Sequence, residues 1–147
     1  MGKLRSFAKL SLRDHFVFLE AAAAMGFARI LIRFVPLRHW ASQIARENPA
    51  GTVNDSKQAS ISRIARAINR VSRNCPVQFI CLPQALAARW MLKRRGIVAQ
   101  LFIGTHKTQT LGADHTFHAW LKFGDLWVTG QCNAAEYAVF SQETRGE

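Results

Sequence analysis

An α+β fold is predicted for this chain, with a helical front packed on a small antiparallel sheet. Three observations predict it. Residues 81–96 hold the start, body and stop of one helix. Residues 117–123 alternate strictly and run into a Gly-Asp turn. Apolar residues at helical spacing dominate the chain before residue 75.

The helix over 81–96 is the best specified element. Pro83 lies in the first turn, where its missing N–H removes no helical bond, and the Ala/Leu/Met body has high helix propensity. Lys93, Arg94 and Arg95 complement the negative end of the dipole, and Gly96 can take the left-handed closing position. Cys81 therefore falls at the N-cap or first helical position. Unpaired N–H groups there stabilise a thiolate and, later, an oxyanion. Free cysteine is more often a small buried hydrophobe, so Cys81 gains weight only through a partner base.

In Phe117-His118-Ala119-Trp120-Leu121-Lys122-Phe123 the apolar positions alternate with His118, Trp120 and Lys122, which predicts a strand. Gly124-Asp125 suits a two-residue hairpin turn, with Leu126–Thr129 returning as its partner. That register pairs Phe123 with Leu126, Leu121 with Val128, and His118 with Gln131. Ile97–Ile103 is expected as a further strand, and 105–116 as a polar loop.

Upstream, residues 3–13 predict a short basic amphipathic helix. A longer helix follows, with Asp14 as its candidate N-cap, and runs to about Phe34 before Pro36 breaks it. A short helix is expected over 37–46, and a linker over 48–57. Ile61, Ile64, Ala65, Ile68 and Val71 mark one face of another helix, with arginines on its other faces and Cys75-Pro76 at its end. These divisions give a helical N-terminal segment, 1–50, and a core, 58–140.

The chain has 147 residues, enough for one domain with its own core. A hydrophobic share of 49% excludes a disordered tail. The net charge of +11 implies an anionic partner of some kind, and the excess is mostly N-terminal: residues 1–46 carry eight Lys/Arg against two acids. No nucleic-acid motif is present and the basic residues are scattered over several helices, so no nucleic acid is expected. Phe16–Val35 is interrupted by Glu20, Arg29 and Arg33, which argues against a spanning helix and leaves peripheral membrane contact open. Three cysteines cannot all pair, and no signal peptide is read at the start; a reducing, cytoplasmic protein is expected. Cys75, Cys81, His115, His118 and Cys132 supply enough ligand atoms for zinc. With no Cys-x-x-Cys pair and with His115-x-x-His118 straddling a strand start, neither a metal nor another cofactor is expected.

A helix-terminal thiol followed by a histidine on an antiparallel strand is the layout of a thiol-imidazole pair, with Cys81 and His118 its members. Cys81–Ala87, Arg94-Arg95-Gly96-Ile97 and His118-Ala119-Trp120-Leu121 resemble the transglutaminase-like cysteine peptidases of lasso-peptide biosynthesis, from about residue 60 to 130 and more loosely over the helical front. The resemblance implies a papain/transglutaminase-like domain that removes the leader from a precursor peptide, with Cys81 as nucleophile and His118 as base. It also implies a separate leader-binding (recognition-element) protein, since the front lacks the strands such a domain needs, and a lasso cyclase downstream. The family's third residue is an aspartate about twelve positions past the histidine, where this chain has Gly130. Asp125 lies in the turn, too far along the hairpin. Gln131, opposite His118 in the simple register, is the candidate orienter; a one-residue bulge would leave it an ordinary polar residue. The oxyanion hole would combine the Cys81 N–H with a second donor, for which Gln78 competes with a plain surface role. The same Cys-His pair would also serve acyl transfer, and a non-enzymatic basic module that binds nucleic acid or membrane is the rival outside enzymology.

Overall fold

The computed structural model describes residues 11–39, 51–75, 81–107 and 117–139. Three helices, α1 (Leu12–Phe34), α2 (Asp55–Asn74) and α3 (Cys81–Lys93), accompany four strands, β1 (Gln100–His106), β2 (Phe117–Phe123), β3 (Leu126–Thr129) and β4 (Tyr137–Val139). The sheet is antiparallel in the order β3-β2-β1-β4. This is the α+β arrangement that the sequence predicts, helices packed on a small antiparallel sheet.

Each helix starts where a side chain can hold its first free amides. Ser11, not Asp14, caps α1: its Oγ accepts from the Asp14 N–H at 3.2 Å and donates to the Asp14 carboxylate at 2.8 Å. Asp14 thus belongs to the first turn, where a negative charge meets the positive dipole end. Asn54 caps α2 by accepting from the Lys57 N–H at 2.9 Å, so this helix begins inside the expected linker. At the end of α3, the Ile97 amide donates to the Leu92 carbonyl and the Gly96 amide to that of Lys93, with Gly96 at φ +71°. That is a Schellman closure, which needs the left-handed residue the sequence supplies.

One core joins all layers. Val17, Ala21, Met25 and Ala28 of α1 pack with Ile61, Ile64, Ile68 and Val71 of α2, and with Leu86, Met91 and Leu92 of α3. Ala119, Leu121 and Phe123 bring the sheet to the same core. The sheet is covered chiefly by α3, helped by α2, and α1 lies behind them across those two helices. Glu20 clasps α1 to the far end of α3 through Arg95 at 2.6 Å and Arg94 at 3.2 Å.

Three sequence expectations shift. The first strand is Gln100–His106 rather than 97–103, because Ile97 is used in closing α3 and pairing starts only at Gln100 opposite Lys122. Thr105 and His106, read as loop, pair with β2 and β4; β4 itself was too short and polar in context to register as a strand. Residues 37–39 form a single 3-10 turn. Residues 3–10 of the expected basic helix, the remainder of 37–46, the Gln78 donor and most of the 105–116 loop fall outside the described residues; Leu12 and Arg13, expected in that basic helix, belong instead to α1.

Candidate active site

Cys81 is the first residue of α3, as the helix signals require, and its side chain is half-buried. Its sulfur rests on the backbone of β2. The Ala119 N–H donates to Sγ at 3.3 Å, and the Phe117 carbonyl lies 4.0 Å away. The thiol thus touches the residues on either side of His118. β3 pairs with β2 only over Leu121–Phe123, so the thiol occupies the part of β2 beyond that ladder. An N–H aimed at sulfur is the contact suited to sulfur carrying negative charge.

His118 is half-buried on the strand face opposite Phe117 and Ala119. Its ring lies against Trp120, 5.8 Å between centroids at 26°, and against Tyr137 of β4, 5.4 Å at 35°. Nε2 is 2.8 Å from the Gly130 carbonyl oxygen. A carbonyl can only accept, so Nε2 carries the proton and Nδ1 is left with the lone pair of a base.

The orienting acceptor is therefore the backbone of Gly130, and Gln131, the residue expected in that role, has an exposed side chain. A bulge between Leu121 and Lys122 is the reason. Phe123 pairs with Leu126 as the two-residue turn demands, but Leu121 then faces Thr129 rather than Val128, and the simple register past that point is lost. Gly130 stands at the position where the family aspartate is expected, and no side chain fits there. Its φ is +69°, and a Cβ would come within 2.4 Å of the Ala119 carbonyl oxygen.

Of two further groups around the thiol, the sequence reading weighed Cys132 only as a metal ligand and missed Tyr137. Cys132 and Tyr137 both lie within electrostatic reach of Cys81. Burial, then Glu136 and Cys81, pushes the Cys132 thiol up. Burial, then Cys132, Glu136 and Cys81, does the same to the Tyr137 hydroxyl. Both stay protonated at neutral pH. Only the β4 pairing brings Tyr137 here, and no local pattern announces it. His106, without a named partner in sequence, faces Glu136 at 3.4 Å and stands edge-on to Tyr137. Among the described residues no three His, Cys, Asp or Glu side chains gather as metal ligands would.

A groove of about 790 Å³ opens at Cys81, and His118 is not among the residues that line it. Ile30, Ile32 and Phe34 of α1 line one wall, Leu82, Pro83 and Phe117 the other, with Arg29 and Arg33 along it. The thiol lies against β2 beyond the β3 ladder and borders this apolar groove, which can hold an acyl chain beside the sulfur.

Residues 21–142 match the Transglutaminase-like superfamily, which spans most of the chain and begins inside α1. No curated protein and no solved structure gives a match.

Proposed function

Because the chain belongs to the transglutaminase-like superfamily, a group that includes cysteine peptidases and acyltransferases, we propose that it is a cysteine peptidase. Its substrate is the leader-bearing precursor of a ribosomally synthesised lasso peptide, and Cys81 and His118 carry the chemistry. The observation that supports this reading above the others is the Ala119 N–H to Cys81 sulfur contact, which brings the helix-terminal thiol onto the backbone of the residue that follows His118.

In this mechanism His118 Nδ1 takes the Cys81 thiol proton, the thiolate adds to the scissile carbonyl, and the oxyanion turns toward the Cys81 N–H at the start of α3. The C–N bond breaks as the protonated His118 ring gives its Nδ1 proton to the leaving amine. The leader remains as a thioester on Cys81, in the groove beside Phe34 and Leu82. Water, deprotonated by His118, then attacks the thioester; the leader leaves as a carboxylate and the thiol is restored. Gly130 holds the ring through both proton transfers. A neutral carbonyl supports the imidazolium without adding charge, as the amide of a Cys-His-Asn site does.

A separate leader-binding protein presents the precursor, and an ATP-using lasso cyclase takes the freed N-terminus. The reactive thiol suits a reducing, cytoplasmic setting. The test incubates the protein with the precursor encoded beside it, with and without the leader-binding protein, and reads the products by mass spectrometry. Cleavage at one bond, lost in Cys81→Ala and His118→Ala while the fold is retained, is the expected result. A product that gains an amine in place of water assigns the pair to acyl transfer. Cleavage that survives Cys81→Ala overturns the reading.

A further inference from the structure

α1 is apolar on both sides. Its inner residues Val17, Ala21, Met25 and Ala28 are in the core, as in any packed helix. On the other side, Leu12, Phe16, Leu19, Phe27, Ile30 and Phe34 are each between 57% and 80% exposed. With exposed Ala23 they recur in steps of three and four, one continuous stripe along a helix of about 35 Å. Trp90 of α3 extends the stripe sideways, its ring 5.5 Å from that of Phe27. A monomer does not keep so much aligned apolar surface in water without a use for it.

We propose that this face docks on an anionic lipid bilayer, with α1 lying in the plane of the interface. Charge selects the occupant. The two acids of α1 are both engaged by basic partners: Asp14 holds Arg63 at 3.3 Å, and Glu20 holds Arg94 and Arg95. Arg13, Arg29 and Arg33 flank the stripe, exposed, and the Arg33 guanidinium lies over the Phe34 ring at 5.9 Å. Arginines at the rim of an apolar face reach headgroup phosphates while their stems and the aromatic rings settle into the acyl boundary. A second copy would instead bring +11 against +11.

By length and composition α1 would suffice to cross a bilayer, with a mean hydropathy of 1.6. Spanning, however, would tear its inner residues from the core and strand Glu20 in hydrocarbon. Lying flat keeps both. Ile30 and Phe34 belong to the stripe and to the groove wall, so the docked protein holds Cys81 at the lipid-water boundary.

Flotation of the full chain with vesicles tests this. Vesicles of phosphatidylcholine alone are compared with vesicles of equal parts phosphatidylcholine and phosphatidylglycerol, at low and high salt. The protein is expected to float with the anionic vesicles and to lose most of that binding at high salt. The Phe16→Ser/Leu19→Ser variant, with an unchanged circular dichroism spectrum, should bind at least about tenfold more weakly. Arg33→Gln should bind about fivefold more weakly to anionic vesicles only. The proposal fails if neither vesicle binds, if both bind equally, or if the serine variant binds as well as the native chain. A mass that rises with protein concentration, reverts in the serine variant and is accompanied by no vesicle binding overturns it in favour of a second copy.

Discussion

The two sides of the site are built by different means. Cys81 is placed by one helix whose start and stop are written in adjacent residues, and its position would survive many changes elsewhere. His118 is placed by a strand, a bulge in the next ladder, and a glycine carbonyl twelve residues away. The helix side depends on side chains and caps; the sheet side depends on backbone geometry. Substitutions should accordingly separate chemistry from stability on the first side and merge them on the second.

The largest effect is expected on the helix side. Cys81→Ala should lower turnover by on the order of 10^4-fold or more while leaving the unfolding temperature nearly unchanged, as read by peptide cleavage and thermal melts on one preparation. Next comes Gly130→Ala, where both readouts should fall. The added methyl meets the Ala119 carbonyl at a left-handed φ, a cost on the order of 2–4 kcal/mol, or about 5–15 °C in unfolding temperature, and the His118 ring loses its anchor. Equal stability of Gly130→Ala and native protein would erase the contrast between the two sides.

Much of the helix side was legible because its signals are local. Pro83, Lys93–Arg95 and Gly96 all fall within about four turns of one continuous stretch, and the Schellman closure followed them. The hairpin turn was legible for the same reason, Gly124-Asp125 being a self-contained signal. The bulge was not: it inserts one residue between strands whose side-chain pattern reads the same either way, and it moved the orienter from Gln131 to the Gly130 backbone. Tyr137 was hidden for a related cause, since β4 has three residues and exists only through its pairing with β1. The outer stripe of α1 was visible as hydrophobicity, but which half of it faces the core is decided by packing with α2 and α3.

Smaller effects sharpen the comparison. Glu20→Gln weakens the clasp between α1 and α3; because the arginines are partly exposed, a loss of about 1 kcal/mol is expected, with cleavage of a saturating substrate little changed. Alkylation at neutral pH followed by mass mapping should mark exposed Cys75 ahead of Cys132, whose thiol is held protonated by burial, Glu136 and Cys81. Gln131→Ala should change neither cleavage nor melting beyond experimental scatter, since its side chain faces water. A marked loss of turnover in that variant would return the orienting role to the amide.

The clasp at Glu20 sets the geometry of one rod relative to another. α1 runs antiparallel to α3, tied at residue 20 to the exit of α3, and at residues 29–34 it borders the thiol at the entrance. Tied there and packed through Val17, Ala21, Met25 and Ala28, α1 acts as a fixed beam, so the groove wall formed by Ile30 and Phe34 is held by residues about three helical turns away from the sulfur.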